Sequence, residues 1–168
     1  MVALVLKVTF AAPAQTSAPI RITSPDGALQ GSVSLSAHGV PTYAVLYRQV
    51  GVLRPSRLGL QLAVTDLNQG LTLKNADKEE SVTDDYVVAT DKRAHCHYVA
   101  NRRVIRFAGS QGPTMSVIFQ VSNDGVAFQY VLEGDSKNLQ KITAERTTFH
   151  LPVTAKGWLH PHAEARTG

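Results

Sequence analysis

The sequence is short of helical signals: nowhere in its 168 residues do apolar side chains recur at the three-and-four spacing of an amphipathic helix. Cysteine is nearly missing as well. Cys96 is the only one, so no disulfide can form within the chain and thiol catalysis would need a partner base. It sits in "RAHCHYVA", whose alternation reads as a strand, and a buried inert thiol is expected there rather than a nucleophile. No apolar run is long enough to cross a bilayer, which excludes a helical membrane span. Neither internal repeats nor low-complexity linkers occur. Charge of one sign is also scarce, since 17 Lys and Arg against 13 Asp and Glu leave only +4. The single basic run, "NRRVIR" at Asn101 to Arg106, has few aromatics beside it and lies on no helix, so no nucleic-acid partner is expected.

What remains is ordinary globular material, 43% hydrophobic and 18% charged, in a chain long enough to bury roughly 70% of its unfolded surface in one domain. The first 19 residues stand apart. "MVALVLKVTFAAPAQTSAP" has an apolar stretch from Val2 to Phe10 and then small residues around Ala12-Pro13-Ala14, like the end of a secretory signal. Lys7 interrupts that stretch and no basic residue precedes it. A degraded or mis-started export signal and a first strand or irregular arm both stay open. The signal reading places the protein in the periplasm or outside the cell.

From Ile20 onward the chain alternates with period two between turn signals. "SPDG" at Ser24 to Gly27 has the residue order of a type I turn, with proline fixing φ at its second position. "LQGSVSLS", "TYAVLYRQ", "LGLQLAV" and "CHYVANRRVIRF" all read as strands, and "DKEESVTDDY" reads as a strand or a solvated loop. Many short strands at close spacing predict an all-β antiparallel sandwich.

"MSVIFQVSNDGVAFQYVL", Met115 to Leu132, predicts a hairpin whose loop has even length, because an odd loop would set Phe128 against Gln120 and mix the faces. A two-residue Asp124-Gly125 loop of type I′ is preferred, pairing Val121 with Phe128 and Phe119 with Tyr130. A four-residue loop from Ser122 to Gly125 keeps the same parity. Phe119, Phe128 and Tyr130 are core candidates, and Asp124 is a turn residue.

Taken in order, "SPDG", "PSRLGLQL" at Pro55 to Leu62, "DDYVVATDKRAHCHYVANRR", "VSNDGVAFQY" at Val121 to Tyr130 and "KGWLHPHAEA" at Lys156 to Ala165 resemble the amino-terminal domain of glycoside hydrolase family 97. The resemblance implies a galactose-mutarotase-like β-supersandwich over residues 20–168, incomplete at its C-terminal end. It implies an exported α-glycosidase acting on α-glucosides or α-galactosides. The catalytic carboxylates would lie on a (β/α)₈ barrel of the same polypeptide, absent here, with a calcium ion at the active site. One carboxylate ligand to calcium would come from the amino-terminal domain beyond "WLHPHAEA". No catalytic residue, metal ligand or cofactor is assigned to this chain, and by itself it is expected to be inactive.

The same segment supplies the candidates for a substrate pocket: Trp158, His160, His162 and Glu164. His160, His162 and Glu164 alternate along one strand face and could together hold a divalent metal, although Pro161 favours an edge or loop and three ligands make a sparse set. Trp158 could stack on a sugar ring or pack into the core. His95 and His97 read as a satisfied pair on one strand face. The expected role is a non-catalytic domain that packs on the barrel and completes one wall of the carbohydrate pocket. A free-standing carbohydrate-binding module is the alternative, which would need an exposed aromatic platform with convergent polar groups, and a purely structural sandwich with a protein partner is the third reading. Apolar surface facing the barrel would be left exposed.

Overall fold

The computed structural model describes residues 18–88, 95–134 and 139–157, and within them all regular structure is β-strand. The first 17 residues of the signal-like segment lie outside the described residues. Four strands in sequence order form the front sheet: β1 (Ile20–Thr23), β2 (Leu29–Leu35), β3 (Pro41–Tyr47) and β4 (Val50–Arg57). A three-stranded sheet follows from β5 (Leu60–Leu62) and β6 (Asp66–Leu67), joined by β12 (Ile142–Glu145) beside β5. The back sheet holds β7 (Thr72–Ala76), β8 (Glu80–Val87), β9 (His95–Ala108), β10 (Thr114–Ser122) and β11 (Val126–Glu133). Every pairing is antiparallel.

Alternation explains the layering. Along β2 and β3 every second residue is buried, and register sets Gly31 against Val45 and Val33 against Tyr43 on the inner face. In the back sheet the inner rows are Met115, Val117, Phe119 and Val121 on β10, with Ile105 and Phe107 on β9, all at most 1% exposed. These two faces share one hydrophobic core, so the antiparallel sheets stack as a β-sandwich. Rings interlock across it: Tyr43 of the front sheet lies 6.1 Å from Phe119 and 5.3 Å from Phe128, and Phe128 contacts Tyr130 at 5.6 Å. Complete burial of side chains of this size contributes about 1.5–3 kcal/mol each.

The predicted hairpin forms, with Val121 opposite Val126, Phe119 opposite Phe128 and Val117 opposite Tyr130. Its loop is therefore the four-residue form, and the two-residue type I′ preference is corrected. Local polar groups favour the longer loop. Ser122 Oγ donates to Asp124 Oδ1 at 2.5 Å, Ser122 N–H donates to Gly125 O at 3.0 Å, and Asn123 Oδ1 accepts from the Asp26 N–H at 3.0 Å. The two-residue hairpin with positive φ occurs instead between β3 and β4, at Arg48 (47°) and Gln49 (67°). Arg48 lies 5.2 Å over the Tyr47 ring, and its N–H donates to Ala28 O at 2.8 Å, which offsets the backbone cost.

"SPDG" makes the expected turn: Gly27 N–H donates to Ser24 O at 2.9 Å, and the Ser24 hydroxyl donates to Asp26 Oδ1 at 2.6 Å. "ESVTDDYV" is strand β8 rather than loop, paired along its whole length with the first half of β9. Cys96 is half-buried opposite Tyr86, more exposed than an alternating strand predicts, because the β8–β9 ribbon extends past the core.

Candidate functional site

Polar side chains converge where the short sheet meets the chain after β12. Thr148 N–H donates to Arg57 O at 3.0 Å, the Arg57 N–H donates to Thr148 Oγ1 at 2.8 Å, and Arg146 N–H donates to Gly59 O at 2.8 Å. These bonds hold residues 145–148 beside the β4–β5 junction and enclose an open cleft of about 550 Å³. Arg57, Asp66, Asn68, Glu145 and Arg146 line it, with Gln61, Gln69, Thr147 and Thr148. This volume lies within the roughly 300–1,000 Å³ of small-molecule sites.

The backbone geometry that makes the cleft depends on Gly59. Its φ is +150°, and a Cβ there would stand 2.4 Å from Asn68 Cβ, so only glycine lets the two segments approach this closely. Asn68 is nearly buried; its amide donates to Asp66 Oδ1, and its Oδ1 lies 3.5 Å from an Arg57 Nη. Arg146 Nε donates to Gln61 Oε1 at 3.1 Å. Behind the cleft, Tyr130 of the hairpin reaches across: its hydroxyl accepts the Gly59 N–H at 3.0 Å and shares a 2.7 Å bond with Thr147 Oγ1. Burial raises the Tyr130 phenol above its ordinary range, which keeps it neutral as a hydrogen-bonding post.

Two guanidinium groups, two carboxylates, three side-chain amides and two hydroxyls make the cleft charge-balanced. Arg57 and Arg146 each retain unused N–H donors, which suits a neutral ligand rich in hydroxyl groups. A general acid in glycoside hydrolysis needs a raised carboxyl pKa. Asp26 and Glu133 are instead held below the ordinary carboxylate range. Asp26 is held down first by the Ser24 hydroxyl, and Glu133 first by the Ser116 hydroxyl and also by Arg106.

The sequence-predicted pocket residues Trp158, His160, His162 and Glu164 lie outside the described residues. The described chain leaves the cleft at Thr148 and bonds the edge of β4 through His150 and Leu151, with Arg54 N–H donating to His150 O at 2.9 Å and an Arg54 Nη donating to Leu151 O at 3.0 Å, and it is described as far as Gly157. His97 Nδ1 lies 2.6 Å from Asp85 Oδ1 on the exposed β8–β9 ribbon, the satisfied surface partner expected for that residue. Among the described residues no three His, Cys, Asp or Glu side chains are placed to hold a metal ion. The arginines of "NRRVIR" are engaged: Arg102 with Glu80 at 2.7 Å, Arg103 with Asp77 O at 2.7 Å and Arg21 O at 2.9 Å, and Arg106 with Asp77 at 2.7 Å and Glu133 at 2.9 Å. No helix among the described residues is long and apolar enough to cross a membrane.

Sequence reasoning missed the cleft residues. "PSRLGLQL" contains Arg57 and Gln61, but only the fold brings them to Asp66, Asn68 and Arg146.

Comparison with known proteins adds a lineage. The family model described as glycosyl-hydrolase 97 N-terminal matches residues 22–167. A probable retaining alpha-galactosidase of Streptomyces bingchenggensis (strain BCW-1) is 31% identical over 164 residues, which is 95% of this chain and 25% of that protein. Among solved structures, a beta-arabinopyranosidase superposes with a TM-score of 0.74 at 28% identity, covering 79% of this chain and 21% of that one. A glycoside hydrolase family 97 enzyme from Pseudoalteromonas sp. strain K8, in complex with panose, gives 0.69 at 22% identity over 79% and 20%. The chain thus spans about a fifth to a quarter of the length of these relatives.

Proposed function

The chain belongs to the glycosyl-hydrolase 97 N-terminal family, and from that membership we propose that it acts as the non-catalytic leading domain of an α-glycosidase. In this role the sandwich packs on a catalytic (β/α)₈ barrel and supplies one wall of the pocket that receives an α-glucoside or α-galactoside. The observation that carries the reading is the family match over residues 22–167 in a chain spanning only 25% of its α-galactosidase relative.

Local features support it. The polar cleft at Arg57, Asn68 and Arg146 offers donors and acceptors for sugar hydroxyls. Val50 and Val52 on β4, and Phe149, Leu151 and Val153 in the chain after β12, are exposed apolar side chains. Exposed apolar side chains of this kind suit burial against another domain. Residues 1–19 support export to the periplasm or beyond. The calcium ion implied by the family resemblance finds no three-residue acidic, imidazole or thiol set among the described residues.

The test is hydrolysis of nitrophenyl α-glucoside and α-galactoside by the purified chain. No turnover is expected. Turnover that disappears in Glu164→Gln would place catalysis in this domain and overturn the reading.

A further inference from the structure

We propose that the outer face of the back sheet carries a second carbohydrate site, separate from the polar cleft. An open depression of about 510 Å³ lies there, lined by Val82, Asp84, Tyr86, Tyr98, Arg102 and Gln120, among others. Register explains why these residues share a face: Asp84 pairs with Tyr98, Tyr86 with Cys96, and Arg102 with both Glu80 and Gln120. Tyr86 and Tyr98 are therefore diagonal neighbours on adjacent strands, within the reach of one ligand spanning two sugar rings. Between Tyr98 and Arg102 on the same face stands Ala100, which is fully buried among its neighbours.

The surrounding polar groups are held in place. The Gln120 amide donates to the Tyr98 hydroxyl at 3.0 Å, which fixes the tilt of that ring. Glu80 Oε1 accepts from Arg102 Nε at 2.8 Å and lies 2.7 Å from its Nη2, leaving three of the five guanidinium N–H groups for a ligand. Asp84 adds an exposed carboxylate directly across from Tyr98, and Tyr86 is 47% exposed. Aromatic faces bind the C–H faces of a pyranose, and a guanidinium with a carboxylate and an amide binds its hydroxyls. A platform of this composition takes a neutral oligosaccharide.

The ligand class rests on the carbohydrate reading above, whereas the site is independent of the polar cleft. The experiment is an amide-resolved NMR titration of the whole chain with maltotriose and with raffinose. Saturable shifts are expected at residues 82–86, 98–102 and 120. Binding should weaken about tenfold in Tyr86→Ala, an exposed position whose replacement leaves the core intact, and in Asp84→Asn. Shifts confined to Arg57, Asn68 and Arg146 would overturn the outer site and leave the pocket-wall function standing. Shifts nowhere on the chain would overturn the outer site and remove the support that the cleft lends to that function. Undiminished affinity in both variants would also refute it.

Discussion

Replacing Tyr130 by Phe isolates the contribution of one oxygen atom to the cleft. The ring keeps its 5.6 Å contact with Phe128, so apolar packing is preserved. What disappears is the acceptor for the Gly59 N–H at 3.0 Å and the 2.7 Å bond with Thr147 Oγ1. Gly59 is buried, and a buried donor left without an acceptor costs about 1–3 kcal/mol. The Thr147 hydroxyl lies nearer the surface and can turn to water, which adds little. With a urea m-value of about 2 kcal/mol per molar, a loss of about 2 kcal/mol lowers the unfolding midpoint by about 1 M at unchanged m. Far-UV circular dichroism in urea reads the midpoint, and hydrogen exchange at the Gly59 amide reads the local effect. A midpoint within about 0.2 M of the parent, with Gly59 exchange unaltered, would refute the idea that this hydroxyl braces the cleft.

Gly59→Ala should be harsher, because its Cβ would sit 2.4 Å from Asn68 Cβ at a φ of +150°; a loss of about 2–4 kcal/mol is expected by thermal unfolding. The lowered carboxyls of Asp26 and Glu133 contribute stability that is present above the ordinary carboxylate range and is lost as pH falls through their folded pKa values. Ser24→Ala and Ser116→Ala should therefore flatten the acid limb of a stability-versus-pH curve. At the alkaline end, burial pushes Tyr43 up to about 12, so its stabilisation is complete below pH 10 and is lost as pH rises toward 12. Tyr43→Phe should remove that alkaline loss. The exposed apolar side chains predict self-association on size-exclusion chromatography that rises with concentration and diminishes in Val153→Lys, at a position 92% exposed.

The sandwich was legible in the sequence because its two main sheets follow the simplest rule available, alternation with period two. That rule reveals parity more readily than loop length. In the Met115 to Leu132 hairpin it excluded odd loops, yet the choice between two and four residues depended on Ser122, Asn123 and Asp124 making side-chain bonds that alternation does not encode. The converse case is Arg48-Gln49, a tight turn without glycine or asparagine, stabilised by a Tyr47 contact and by Ala28 O. Neither residue announces positive φ. "NRRVIR" resembled a basic patch, but each arginine there finds an acid or a carbonyl from a distant segment.

The polar cleft was invisible for a related reason. Arg57, Asn68 and Arg146 lie in separate segments, and in the sequence each alone reads as an ordinary polar residue. Gly59 was the nearest available signal, a glycine inside "PSRLGLQL" where a strand would favour a larger residue. The outer-face tyrosines were hidden similarly. Tyr86 and Tyr98 belong to different strands, and only the Asp84–Tyr98 register makes them neighbours. Trp158, His160, His162 and Glu164, the candidates the sequence did offer, lie outside the described residues.

The central claim is that this sandwich is the leading part of a longer carbohydrate-processing enzyme, and the nucleotide sequence following the Gly168 codon tests it most directly. The account predicts an in-frame continuation encoding alternating strands and helices of a (β/α)₈ barrel, of the length that a chain covering 25% of its relative leaves over. A stop codon there, with no barrel-encoding frame adjoining it, would contradict the account.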